Sequence, residues 1–254
     1  MKVVLITQDD PFYLGRNIDY LLSILPTGIT VTGCVMFDVS PFGKRESFTK
    51  KLKKTFDIFG ANFTFRYGLK FIKSKFDKES KLRYVLHKHR VPLIKLEKSI
   101  NHSDSLQIIK QYQPDVLVSI AGNQIFKKPL ITLAQKGCIN LHTALLPKYR
   151  GLMPSFWVLR NNEKFTGVSV FFVDEGIDSG PIIIQKKVAI GDMSQQKLIE
   201  TTKKIGMDAI IEALVRIKNN DVELIPNRQE EMSYYSFPTR EDVKEFRRIG
   251  KNFF

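Results

Sequence analysis

The chain has 254 residues, 43% of them hydrophobic and 26% charged, with a formal net charge of +14. That length holds one large α/β domain, alone or with a small appendage, and the composition is that of a globular protein with a sizeable core. No apolar run approaches the roughly 18 residues of a membrane span, and "VVLIT" after Met1-Lys2 is too short for the core of a signal peptide, so a cytoplasmic protein is expected.

"KVVLIT" (2–7) is a continuous apolar run, as in a strand buried on both faces of a parallel sheet. Ile18, Leu21, Leu22 and Leu25 then recur at helical spacing until Pro26 ends the pattern. "ITVTGCVMF" (29–37) reads as the second strand. This βαβ order predicts an α/β fold, an open, mostly parallel Rossmann-like sheet with helices on both faces.

Residues 44–90 hold 15 Lys/Arg against 4 Asp/Glu. Such a field attracts phosphates on nucleic acid, nucleotide or membrane, or it serves as a solubilising surface. Here Phe63, Phe65, Tyr67, Leu69 and Phe71 fall at period two, whereas Phe59, Phe63, Tyr67 and Phe71 fall at period four. Strand and helix both fit, and helices are preferred. The aromatics suit core packing, a homodimer face or a membrane-surface contact.

Residues 92–96 read as a short strand, and 103–112 as a helix capped at Ser103. "PDVLVSI" (114–120) is a buried strand followed by the loop "AGNQIF". A helix over 128–136 ends at Gly137 as its left-handed cap, and "GCINLH" (137–142) is the next strand. Residues 166–173 and 181–190 are strands joined by an acidic, glycine-containing loop. Residues 198–217 form a long amphipathic helix. Residues 1–217 are thus expected to be the catalytic domain and 218–254 a short C-terminal extension. Cys34 and Cys138 lie in apolar runs and read as buried reduced thiols.

In a strand, residues two apart project to one side, so Asn140 and His142 point together at a strand end, where open parallel sheets bind ligands. The following acidic loop offers Asp174, Glu175 and Asp178, with Gly176 and Gly180 permitting tight backbone. An amide can donate to a developing oxyanion, and an imidazole beside a carboxylate can move protons. That combination suits acyl-type transfer without a covalent enzyme intermediate. No Gly-x-Ser-x-Gly motif is present. A metal site is not expected, because His/Cys pairs at ligand spacing are lacking; His87 and His89 lie in the basic run and read as exposed.

Together, "GCINLHTALLPKYRG" (137–151) and "TGVSVFFVDEGIDSGPII" (166–183) closely resemble the signature of the folate-dependent formyltransferases. That family includes glycinamide ribonucleotide formyltransferase, methionyl-tRNA formyltransferase and the nucleotide-sugar N-formyltransferases. The resemblance covers about residues 114–190, with two separated motifs agreeing in order and spacing; Thr143-Ala144 stands where Pro-Ser or Gly-Ser is common. It implies transfer of a formyl group from 10-formyltetrahydrofolate to a primary amine, with Asn140, His142 and Asp178 as the catalytic trio. Asn140 and protonated His142 would steady the formyl oxygen, and Asp178 would hold the imidazole and help take the amine proton. The folate would lie against Gly122, Gln124, Ile125, Leu145, Leu146 and Asp174, with no metal.

The acceptor is narrowed by comparison within that family. "TQDDPFYLG" after the first strand lacks the Gly-rich phosphate loop of the purine enzymes. Only 37 residues follow Ile217, fewer than the C-terminal barrel of methionyl-tRNA formyltransferases, although the basic segment could grip RNA phosphates. "YYSFPTREDVKEF" resembles the short tail of compact sugar-modifying members. The expected acceptor is therefore a dTDP- or UDP-linked amino-deoxy sugar for a surface polysaccharide such as a lipopolysaccharide O-antigen. Lys148, Tyr149 and Arg150 would border it, unless they form a solvated loop. Alternatives are an enzyme acting on initiator tRNA and a non-catalytic binder on the same fold.

Overall fold

A computed structural model of the chain describes residues 1–39 and 47–254; Lys44 and Arg45 of the basic segment lie outside the described residues. The first strand, β1 (Lys2–Gln8), alternates its apolar side chains between two cores, Val3 and Leu5 to one side and Val4 and Ile6 to the other. It pairs in parallel with β2 (Thr30–Phe37), which carries β3 (Leu93–Ile94) at the sheet edge. On its other side β1 pairs with β4 (Val116–Ile120), and β4 with β5 (Cys138–His142), again in parallel. The chain then reverses: β7 (Phe165–Phe172) is antiparallel to β5, and β8 (Ile182–Ala189) to β7. The order β3-β2-β1-β4-β5-β7-β8 is the expected open, mostly parallel sheet.

Helices cover both faces. The apolar stripes of α1 (Leu14–Ser23), α3 (Leu82–Lys88) and α7 (Gln195–Asn219) pack on one side with Leu141, Val168 and Val170. The other side is covered by α4 (Ser103–Lys110) and α5 (Lys128–Ile131), which pack with Cys138. Both cysteines are free and buried, and burial pushes each thiol up to about 12. No described helix is long and apolar enough to cross a membrane.

The basic segment resolves to helix. The α2 helix (Phe48–Phe76) breaks at Gly60, whose φ of 80° and ψ of 175° only glycine adopts without strain. Its period-four residues line the side that packs on the body, with Tyr67 39% exposed at the rim: Phe59 stacks on Phe63 and Phe63 on Tyr67, while Phe71 meets Phe12. His89 is tied to Asp19 at 2.6 Å, and His87 is exposed.

Several elements differ from the sequence reading. The α5 helix spans four residues, because the chain leaves helical geometry at Thr132. His102 caps α4, its Nδ1 accepting from the Asp104 amide at 3.2 Å. Residues 154–160 and 240–248 form the further helices α6 (Pro154–Arg160) and α8 (Arg240–Arg248), and α8 starts in a Thr239–Asp242 capping box. The C-terminal segment is stitched to the body by a two-stranded parallel pairing of β6 (Arg150–Gly151) with β9 (Tyr234–Tyr235). A third core of Phe59, Phe156, Trp157, Val243, Phe246 and Phe253 fastens it further. Phe246 stacks on Phe156 at 5.0 Å and on Phe253 at 4.5 Å.

Candidate active site

β5 carries the polar pair. Ile139 and Leu141 pack toward α7, so alternation turns Asn140 and His142 to the opposite face. Ser169 on β7 pairs opposite His142. Its hydroxyl donates to the Ala144 carbonyl at 2.8 Å and accepts from the Leu146 amide at 3.1 Å, folding the chain after His142 back over the sheet. Leu146 is buried against Phe171 and Ile182. Leu145 lies on Gly167, where a Cβ would come within 2.4 Å of it.

His142 is buried and held on both sides. Its Nε2 donates to the Tyr149 carbonyl at 2.7 Å, and its Nδ1 lies 3.5 Å from Asp178 Oδ2. Asp178 reaches it from the β7–β8 loop, which leaves the sheet beside Ile139, since Phe172 pairs with that residue. The same Oδ2 accepts from the Gly151 amide at 2.9 Å. Asp174 shapes the loop by accepting from the Gly176 amide and the Ser179 hydroxyl. The half-buried Asn140 carboxamide has no protein hydrogen-bond partner among the described residues. The three expected residues are thus brought to one place, with one amide left free for a ligand.

The other expected residues divide. In the 121–126 loop, Gln124 Oε1 accepts from the Ile100 amide and the Ile125 carbonyl accepts from Asn101 Nδ2, while the Ile125 side chain is exposed. Gly122 sits over Ser119, whose Oγ would be 2.6 Å from a Cβ. Lys148 is exposed. The Tyr149 and Arg150 side chains instead turn inward. Tyr149 donates to Glu163 at 2.6 Å and stacks on Tyr235; burial and that carboxylate raise its phenol. Arg150 donates to Gln229 and Asn227, and burial pulls its guanidinium below the ordinary range against the pull of Asp178 and Asp174.

Two residues of the site, Asn227 and Ser233, had no signal in the sequence. Asn227 donates from Nδ2 to the carbonyls of Asp178 and Gly180, both at 2.9 Å, and so pins the acidic loop. Ser233 accepts from the Tyr149 amide at 2.9 Å. Asn123 donates to the Asp38 carbonyl, but its buried Oδ1 has no partner. Contacts across 49 or 84 residues leave no local spacing to read. Among the described residues no group of three or more His, Cys, Asp or Glu is placed to hold a metal.

Residues 74–214 match the formyl transferase family. A methionyl-tRNA formyltransferase of Kosmotoga olearia is 33% identical over 166 residues, covering 64% of this chain and 52% of that protein. One from Thermodesulfovibrio yellowstonii is 36% identical over 141 residues, covering 55% and 46%. The chain spans about half the length of these curated relatives. Among solved structures, glycinamide ribonucleotide transformylase 1 of Symbiobacterium toebii superposes with a TM-score of 0.62 at 16% identity, over 90% of this chain and 92% of that one. The N-formyltransferase of Helicobacter canadensis, solved with folinic acid and dTDP-3-aminofucose, gives 0.59 at 18% identity over 95% and 72%. With its fold shared and more than half of its length matched, this chain belongs to the formyl transferase family.

Proposed function

We propose that this protein transfers a formyl group from 10-formyltetrahydrofolate to the amino group of a nucleotide-linked amino sugar, in the cytoplasm, for a surface polysaccharide. The observation that carries formyl transfer is the free Asn140 carboxamide beside the buried His142–Asp178 pair. The 121–126 loop fits a ligand rich in ring nitrogens, because Asn123 Oδ1 is a buried acceptor without a partner.

As the amine nitrogen bonds to the formyl carbon, negative charge gathers on the formyl oxygen. The Asn140 amide donates to it, an interaction stronger in the transition state than in the ground state. Both His142 nitrogens face oxygens, a carbonyl and a carboxylate. With Nε2 donating to the Tyr149 carbonyl, Nδ1 and the Asp178 carboxylate 3.5 Å from it are the groups that would take up the proton the amine loses. That proton passes to the folate nitrogen as its bond to the formyl carbon breaks. Gly122, Gln124, Ile125, Leu145, Leu146 and Asp174 would surround the donor, and the exposed Lys148 would meet acceptor phosphates.

The sugar acceptor is supported by the C-terminal segment, which is folded onto the catalytic loops through Asn227, Gln229 and Ser233. It agrees with the fold match over 95% of this chain to the protein solved with dTDP-3-aminofucose. A second reading, formylation of initiator methionyl-tRNA, is favoured by the names of the sequence relatives.

The test is tetrahydrofolate release with 10-formyltetrahydrofolate and two acceptor sets, dTDP- and UDP-linked amino sugars and methionyl-tRNA. Turnover with an amino-sugar nucleotide alone is expected; turnover with methionyl-tRNA alone overturns the acceptor, and release with neither overturns the activity. His142→Asn is expected to lower kcat by about 10²–10⁴ with unchanged circular dichroism.

A further inference from the structure

The inward ridge of α2 leaves its opposite side unexplained. Phe65, Leu69, Ile72 and Phe76, spaced four, three and four residues apart, share one helical face. They are 68%, 44%, 54% and 84% exposed and lie together in one stripe, unlike apolar residues scattered singly over a surface. The stripe runs for about 16 Å of helix. Arg66 and Lys73 border it on one side and Lys75 on the other, while Lys70 turns inward to the Tyr13 hydroxyl at 2.8 Å. No acid lies in residues 61–76, and none of the three bordering cations is paired with a carboxylate among the described residues.

A cavity of about 510 Å³ adjoins this helix. It shares no residue with the His142 site and is lined by Arg66, Arg247 and Lys251 beside Asn62, Phe63 and Phe254. Three side-chain cations against the one α-carboxylate of Phe254 leave a net positive receptor for an anionic headgroup. Arg66 belongs both to this cavity and to the border of the stripe, so apolar insertion and phosphate capture would occur on one surface.

We infer that this face of α2 docks the protein on an anionic lipid bilayer, with the stripe in the headgroup–acyl boundary and lipid phosphates against Arg66, Lys73, Lys75 and the cation-lined cavity. An exposed apolar stripe edged with Lys and Arg is the pattern of a helix lying in a membrane interface. A second copy of the same face is the poorer occupant, because it would set unpaired cations against cations. Nucleic acid would use the cations and the two phenylalanines, yet it leaves Leu69 and Ile72 without a role.

The experiment is co-sedimentation of the full chain with vesicles of phosphatidylglycerol and phosphatidylcholine, against vesicles of phosphatidylcholine alone, at low and physiological salt. Binding confined to the anionic vesicles and weakened by salt is expected. Phe65→Ser with Phe76→Ser should lower vesicle affinity at least about tenfold. Lys73→Glu with Lys75→Glu should do the same, both pairs keeping the wild-type melting temperature. Because these variants remove surface groups, the conservative Phe65→Leu with Phe76→Leu should restore binding and serves as the folding control. Absence of sedimentation, or equal binding to neutral vesicles, overturns the inference. So does a dimer by light scattering, or an RNA gel shift, that the Phe65 and Phe76 changes abolish while vesicle binding stays absent.

Discussion

At the scale of single residues, the site turns on which polar groups are satisfied by the protein and which are left over. His142 has an oxygen at each ring nitrogen, whereas Asn140, two residues earlier on the same face, has none. Removing that amide with Asn140→Ala is expected to lower kcat by about 10²–10³ with little change in KM for the folate, the signature of a donor used in the transition state. A rise in KM at constant kcat would show ground-state binding instead. Away from the site, Asp19 is held below the ordinary carboxylate value of 3.8, chiefly by the Lys88 hydrogen bond, with His89 adding to it and burial opposing. A depressed folded pKa gives stability that is present above 3.8 and lost as pH falls through the lowered value. Asp19→Asn should therefore melt lower than the wild type at pH 7, and the gap should close on acidification below 3.8. A gap that persists in acid would place the effect in packing.

At the scale of elements, the carboxylate proposed to act with His142 is delivered by a loop that has little hold of its own. Asp178 has a φ of 49°, in the left-handed region, and its loop is clamped by Asn227, which is itself held by Arg150. Gly151 fits between Asp178 and β9 because a Cβ there would meet the Tyr235 carbonyl at 2.3 Å. Asn227→Ala should cost about 1–2 kcal/mol of stability by leaving two partly buried carbonyls short of a donor. It should also lower kcat by roughly tenfold to a hundredfold through misplacement of Asp178. Unfolding curves and steady-state rates report the two effects separately, and an unchanged kcat would remove Asn227 from the positioning role. Tyr149 belongs to the same device: its carbonyl holds His142 while its ring is locked between Glu163 and Tyr235.

At the scale of the whole molecule, three cores are arranged so that the third joins the ends of the functional half. The aromatic core gathers Phe59 of α2, Phe156 of α6 and Phe246 of α8 around Phe253, and so ties the basic helix and the C-terminal segment to the loop after β5. Phe246→Ala is expected to destabilise by about 3–5 kcal/mol, the cost of a large cavity in a stacked cluster. If the aromatic core is coupled to the site, activity should fade at temperatures below global unfolding. Loss of activity only at the global melting temperature would show the two to be uncoupled.

Much of this was legible in the sequence because it is written in short-range pattern. The runs at 2–7, 29–37 and 114–120 are buried on both faces, so continuous hydrophobicity betrays them, and period two at 138–142 sets Asn140 and His142 on one side. The period-two pattern in α2 is two period-four rows interleaved, Phe63, Tyr67 and Phe71 on the packed side and Phe65 and Leu69 facing out, so locally it mimics a strand. The α8 capping box at Thr239–Asp242 was present in the sequence, but its polar composition hid the buried Val243 and Phe246. What only the tertiary structure decided is long-range pairing. Tyr149 and Arg150 look like loop residues ready for a ligand, yet the segment 227–235 takes both inside, pairing with Arg150 and stacking Tyr235 on Tyr149. The sequence by itself determined the sheet, its core and the residue types of the candidate site, because local periodicity and side-chain chemistry need no partner to be read. The fold alone decided which of those polar groups remain free, because hydrogen-bond satisfaction depends on neighbours that the chain brings from a distance.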